Sequence, residues 1–266
     1  MNLTVAAIQL VSTADIDHNI ARCSALIGEA ANQGAELIVL PENALVYGAP
    51  LATVAARQTE LKALLADWAQ KFGVWLVGGS LPWLDSSYAN KPGASCFVFN
   101  SQGEEILHYR KCHLFDADVI DATGSYRESD SYSAGSEIGI FETPWGKFGV
   151  AICYDLRFPE YFRRLIERQV IGVCIPSAFT YVTGEAHWEV LVRARAIENQ
   201  MFVIAANQGG EHSPLRKTWG ESMIVNPWGR ILKKTALDEA LVKADINLDE
   251  VKDIRRKMPV LKHRKF

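Results

Sequence analysis

Runs in which every residue is apolar, such as Leu37-Ile38-Val39-Leu40 and Val150-Ala151-Ile152-Cys153, recur along the chain between polar stretches of helical length. A strand with one face in water alternates apolar with polar residues, so a strand apolar at successive positions needs cover on both faces. Interior sheets flanked by helices satisfy that need, which places the chain in the α/β class. The spacing predicts strands at 4–9, 37–40, 74–80, 95–100, 148–153, 170–176, 201–207, 223–226 and 241–246. Helices are expected over 16–33, 53–72, 159–168, 187–199 and 248–257. In the first of these, Ile16, Ile20, Cys23, Ile27, Ala30 and Ala31 follow helical spacing and Gly34 supplies the stop. Asn100-Ser101-Gln102-Gly103 reads as a hairpin turn, and 116–135 as a long polar loop of the kind that serves function or moves. No compositional shift, low-complexity tract or repeat divides the 266 residues, so one domain spanning 1–266 is expected.

Apolar residues make up 48% and charged residues 22%, which excludes a disordered or fibrous chain. No apolar run approaches the roughly 20 residues that cross a bilayer, and the N-terminus lacks the basic start and apolar centre of a signal peptide. A cytoplasmic protein with no membrane partner is expected. Five scattered cysteines without a CxxC pair argue against a disulfide framework and a structural zinc site. The net charge of −3 gives no reason to expect nucleic acid as a partner of the whole chain. The segment 252–266 alone is basic, with seven Lys or Arg against one acidic residue. Such a tail can bind nucleic acid. It lacks interleaved aromatic residues and belongs to an otherwise acidic chain, so an extension at about 248–266 engaged at a subunit interface or in intramolecular pairing is favoured.

Three positions carry candidate chemistry. Cys153 ends an apolar run where a buried strand turns toward a helix, a place where ligands gather in α/β sheets. A cysteine is also a common buried hydrophobe. Glu42 follows Leu37 to Leu40, with Pro41 breaking the ladder. It is either a capping or ion-paired glutamate or a carboxylate whose burial raises its pKa and suits it to acid–base work. Lys111, in His108-Tyr109-Arg110-Lys111-Cys112-His113, is either a solvated surface charge or a cation able to lower a thiol pKa and stabilise an oxyanion. A pairing of Cys153 with His187 or His113 is a mechanistic alternative. His113, Asp116 and Asp118 have only weak metal-ligand spacing, and no metal is expected.

Leu-Pro-Glu at 40–42, Tyr-Arg-Lys-Cys-His-Leu-Phe-Asp at 109–116 and Val-Ala-Ile-Cys-Tyr-Asp-Leu-Arg-Phe-Pro-Glu at 150–160 resemble, in order and spacing, the Glu, Lys and Cys signatures of the nitrilase, or carbon-nitrogen hydrolase, superfamily. Pro176 to Phe179, His187 to Ala196 and Met223 to Gly229 extend the resemblance almost end to end. It implies a four-layer α-β-β-α sandwich, with Glu42 as general base, Lys111 as oxyanion support and Cys153 as nucleophile. The backbone N–H of Tyr154 would join Lys111 in the oxyanion site. Glu128 looks like the second glutamate that many members place beside the lysine, although 119–124 departs from their Pro-Gly pattern. No metal or organic cofactor is implied, and a homodimer or larger homo-oligomer is.

The stretch 187–198 and the ending 254–260 look most like the branch of deaminated glutathione amidases and omega-amidases, which hydrolyse amides of small 2-oxo acids through a Cys thioester. Other activities of the superfamily, N-carbamoyl amidase or nitrilase, are alternatives. A carboxylate-bearing substrate calls for an arginine or tyrosine in the pocket. Arg157 and Arg195 are the candidates, each with an equally plain structural reading, and Phe179 and Thr180 are expected as pocket walls. Glu185, where relatives often have proline, and Glu221, where many have histidine, depart from the pattern.

Overall fold

Along the first strand, β1 (Asn2–Gln9), side chains divide between two apolar environments. Leu3, Val5 and Ala7 face a second sheet, while Ala6 and Ile8 face helices. That division, repeated along its neighbours, builds the molecule. The computed structural model describes residues 1–85 and 91–265.

After β1 come α1 (Ile16–Asn32), β2 (Leu37–Val39), α2 (Leu51–Phe72), β3 (Trp75–Val77), β4 (Leu81–Trp83), β5 (Gly93–Phe99) and β6 (Glu105–Arg110). The β1, β2 and β3 strands run parallel, and β3 to β6 complete the sheet by antiparallel pairing. A polar excursion follows, with β7 (Asp116–Asp118), β8 (Ser125–Arg127) and the single turn α3 (Glu128–Ser131). The second sheet opens with β9 (Gly139–Thr143) and β10 (Gly146–Val150), then α4 (Pro159–Glu167), β11 (Gly172–Ser177), α5 (Tyr181–Asn199) and β12 (Phe202–Asn207). A hairpin of β13 (Gly209–Ser213) and β14 (Arg216–Trp219) precedes β15 (Met223–Val225) and β16 (Ile231–Lys234). Finally β17 (Ala240–Asn247) returns beside β1, and α6 (Asp249–Lys257) follows.

The sheets have seven strands, ordered β17-β1-β2-β3-β5-β4 with β6 on β5, and six strands, ordered β16-β15-β12-β11-β10-β9. Their inner faces pack together, Val5, Val39 and Val98 sharing one core with Val150, Ile175 and Val203. On the outside, α1 and α2 cover the first sheet through Ile27, Leu61 and Leu65. Phe162 and Leu165 of α4 and Trp188 and Val192 of α5 cover the second. The result is the four-layer α-β-β-α sandwich, and it explains why the strands are apolar on both faces.

Helix starts carry ordinary signals: Asp15 accepts from His18 N at the head of α1, Pro50 precedes α2, and Pro159 occupies the first turn of α4. The fifth helix begins at Tyr181, six residues before the expected start, because the Thr180 hydroxyl caps it. Gly184 reads as a helix breaker but is needed there, since a Cβ would lie 2.0 Å from Cβ of Trp219. The strand expected over 148–153 ends at Val150, and that over 74–80 contracts to three residues. The loop expected over 116–135 holds the β7–β8 pair and α3.

The basic C-terminal segment packs partly on its own chain. Val251 is buried, Arg255 donates to Val170 O at 2.8 Å, and Gln200 donates to Met258 O at 2.7 Å. Arg264 pairs with Glu167. Phe266, the last residue of that segment, lies outside the described residues. Among the described residues no helix is long and apolar enough to cross a membrane, and no group of three His, Cys, Asp or Glu is arranged to hold a metal ion.

Candidate active site

Glu42 and Lys111 follow the ends of β2 and β6 in the first sheet, and Cys153 follows the end of β10 in the second. The two sheets are tied by direct bonds. Glu42 N donates to Ser177 O at 3.2 Å, and Gln208, just beyond β12, donates through Nε2 to Glu42 O at 3.1 Å. Gly79 permits the turn beneath: its φ is +72°, and a Cβ would stand 2.2 Å from Pro41 O. Lys111 is fixed on both sides, its N donating to Ala94 O at 2.9 Å and its O accepting from Gly135 N at 2.8 Å.

Cys153 opens a 3₁₀ turn, Cys153–Arg157, with a φ of +46°. A non-glycine residue held in this region costs about 1–3 kcal/mol, so the surroundings must impose it. Asp155, wholly buried, anchors the turn. One carboxylate oxygen accepts from Ile152 N at 2.8 Å and Tyr109 Oη at 2.7 Å. The other accepts from His113 N at 3.0 Å and His113 Nδ1 at 2.7 Å. Asp155 thereby clamps the cysteine turn to the segment carrying Lys111.

Within the site, Lys111 Nζ lies 2.8 Å from Glu42 Oε1 and 2.9 Å from Glu128 Oε2. Glu128 also accepts from Phe115 N at 2.6 Å, which fixes the carboxylate on the lysine. Burial pushes the Glu42 carboxyl above its ordinary pKa against the pull of Lys111, with the Glu128 charge adding to the rise. For Lys111, burial alone would lower the pKa, yet Glu128 and Glu42 outweigh it and hold the ammonium well above its ordinary value. Burial and the Glu42 charge push the Cys153 thiol well up, opposed by Lys111 and by a bond from the backbone N–H of Ala178. These directions describe a resting thiol beside a carboxylate of raised basicity, with a permanent cation between two glutamates. Such a set can move a proton from sulfur to carboxylate and stabilise a new oxyanion.

The three side chains border one cavity of about 370 Å³, together with Glu128 and Thr180. A narrow recess beside it is walled by Cys153, Tyr154, Arg157, Phe179 and Thr180. Arg157 Nη1 donates to His187 Nδ1 at 3.1 Å, and its guanidinium lies over the Phe179 ring. Arg195 lines neither space: it is buried behind the cysteine turn, its Nε donating to Leu156 O at 2.9 Å and its Nη1 pairing with Glu198 at 2.7 Å. His113 and His187 line neither space either, the first stacking on Phe158 and bonding Asp155. The cavity adds residues that the sequence reading did not single out, chiefly Tyr47, Tyr126 and Arg216. Asp155 was also missed as a clamp, although its place two residues after Cys153 was the available signal.

The carbon-nitrogen hydrolase family pattern matches residues 4–256. The chain is 40% identical to a deaminated glutathione amidase of Yersinia enterocolitica, covering 100% of this chain and 94% of that protein. It is 37% identical to omega-amidase NIT2 of Danio rerio, covering 98% and 94%. The crystal structure of the C. elegans NitFhit protein superposes with a TM-score of 0.92 at 35% identity, across 99% of this chain and 65% of that longer one. With its sandwich, its motifs and these full-length similarities, the chain belongs to the carbon-nitrogen hydrolase family.

Proposed function

We propose that this enzyme is a thiol amidase that hydrolyses the amide of a small carboxylate-bearing acid, with a 2-oxo acid omega-amide or deaminated glutathione as the substrate class. The observation that carries the reading is the Lys111 ammonium, within 3 Å of both Glu42 and Glu128, in the cavity that Cys153 also borders. Glu42 takes the Cys153 proton as Sγ attacks the amide carbon. Lys111 and the backbone N–H of Tyr154 hold the tetrahedral oxyanion. Glu42 then returns the proton to nitrogen as the C–N bond breaks, releasing the amine and leaving a thioester on Cys153. Water, deprotonated by Glu42, attacks the thioester. The acid leaves and the thiol is restored, so one amide and one water become one acid and one amine. Glu128 acts by fixing Lys111.

The similarity to an amidase of deaminated glutathione and to an omega-amidase supports this substrate class. Five unpaired thiols, four of them buried, suit a reducing compartment, and we place the enzyme in the cytoplasm as a homodimer whose contact includes the 248–266 segment. The test is turnover of 2-oxo acid amides, deaminated glutathione, N-carbamoyl compounds and nitriles, with adducts on Cys153 read by mass spectrometry. Amide turnover with a rapidly formed acyl mass on Cys153 is expected. Cys153→Ala should abolish it in a folded protein, and Glu42→Gln should lower kcat by about 10²–10⁴. Turnover retained in Cys153→Ala contradicts the mechanism, and preferential turnover of nitriles or N-carbamoyl compounds contradicts the substrate class.

A further inference from the structure

Three cationic side chains border the main cavity among the described residues: Lys111, Arg127 and Arg216. Two are already engaged. Lys111 lies between Glu42 and Glu128, while Arg127 donates to Asp118 Oδ1 at 2.8 Å and to Tyr126 O at 2.7 Å. Arg216 differs. Its guanidinium carbon sits 4.9 Å from the centre of the Tyr126 ring, and among the described residues no carboxylate or carbonyl accepts from its side chain. A guanidinium resting on an aromatic ring keeps its rigid fork of N–H groups for a planar anion.

A second group beside it is also unpartnered. Tyr47 lines the same cavity with only 9% of its surface exposed, and its hydroxyl makes no hydrogen bond to any described residue. The hydroxyl is not an orphaned buried atom; it borders the cavity, where it can donate to a ligand. The Tyr47 ring is held in place. It packs on His212 with centroids 4.1 Å apart, and His212 is fixed by Ser12 O at 2.6 Å and by Thr218 Oγ1 at 2.7 Å. Thr218 is two residues from Arg216 on β14, so one hairpin sets both groups. Burial raises the Tyr47 pKa, Arg216 opposes that rise, and Glu42 and Cys153 reinforce it. The ring therefore stands within electrostatic reach of the arginine and of the reacting pair.

We propose that Arg216 and the Tyr47 hydroxyl form a carboxylate-binding subsite in this cavity, selecting amides that carry an acidic group away from the bond to be cut. The inference rests on the amidase reading and names the residues behind its substrate class. Charge sets the direction of binding. Glu42 and Glu128 repel a carboxylate at the cysteine end, and Arg216 attracts it elsewhere in the cavity, so the amide is presented to Cys153. Two parallel N–H···O bonds from Arg216 and one O–H···O bond from Tyr47 would engage both oxygens of the acid group.

The test compares glutaramate, which has one amide and one carboxylate, with glutaramide, its neutral isostere. The ratio of their kcat/KM values is measured for the wild type, Arg216→Gln, Arg216→Lys and Tyr47→Phe. The ratio should fall tenfold or more in Arg216→Gln, mainly through KM for glutaramate, recover in part in Arg216→Lys, and fall about threefold in Tyr47→Phe. A proportional loss on both amides, leaving the ratio unchanged, overturns the subsite. Calorimetric binding of glutarate gives a readout independent of turnover: the wild type should bind it and Arg216→Gln should weaken it at least tenfold. Equal binding, or no binding by the wild type, overturns the proposal. If the wild type hydrolyses neither amide, nor any 2-oxo acid amide or deaminated glutathione, the amidase reading fails while the glutarate measurement still decides the subsite.

Discussion

Replacing Asp155 with asparagine tests whether the clamp between the cysteine turn and the lysine segment governs the site. The change alters no volume and removes one acceptor. In the native protein each carboxylate oxygen faces two donors, Ile152 N and Tyr109 Oη on one side, His113 N and His113 Nδ1 on the other. Whichever way the amide is turned, its NH₂ faces one of these pairs. Tyr109 can rotate its hydroxyl and His113 can change tautomer, but the backbone N–H in either pair has no such escape. One buried N–H is thus orphaned, at about 1–3 kcal/mol, and the remaining bonds lose their charge assistance, at about 1–2 kcal/mol more. Urea unfolding of Asp155→Asn should show a loss of about 2–5 kcal/mol with the m-value unchanged. Activity should fall further than stability accounts for, by about 10²-fold in kcat under conditions where the variant is fully folded, because Cys153 and Lys111 are no longer fixed to each other. A stability loss under about 1 kcal/mol with kcat within threefold of the wild type would refute the reasoning.

Two further outcomes follow from the same geometry. Glu128→Gln removes a charge that raises the Glu42 pKa. Glu42 then ionises at lower pH, and in its proposed role as the base this should move the acid limb of kcat/KM to lower pH; a profile that stays in place or moves up contradicts the coupling. Gly184→Ala places a Cβ 2.0 Å from Trp219 Cβ, forcing α5 away from β14. It should destabilise the protein by at least about 1–3 kcal/mol in urea unfolding, and a stability equal to wild type would show that the helix and strand can part without strain.

The layers were legible in the sequence because doubly covered strands leave an unmistakable record: Leu37 to Leu40 can be nothing but interior. What escaped was built from polar residues. The β13–β14 hairpin reads Gly-Gly-Glu-His-Ser followed by Arg-Lys-Thr-Trp, with no apolar period to mark it. Arg216 stands near the site only through tertiary packing. Arg195 shows the opposite case: its neighbourhood in the sequence suggested the pocket, while its helix face turns it toward Leu156 O and Glu198. The end of β10 at Val150 has a local cause, since Asp155 captures the Ile152 N–H in place of a ladder bond. Glu42 and Cys153 were conspicuous because each stands at the end of an apolar run, whereas Lys111 follows the mixed strand β6 and was marked by the family resemblance. The ion pairs between Lys111 and its two glutamates had no such signature.

Glu42 hangs from Ser177 and Gln208, residues of the opposite sheet, and that crossing ties chemistry to assembly. Glu42 and Lys111 follow strands of one half of the sandwich and Cys153 follows a strand of the other, so the reacting pair exists only where the two halves are docked. On denaturation, turnover should be lost no later than the secondary-structure signal, and turnover that outlasts that signal would contradict the crossing.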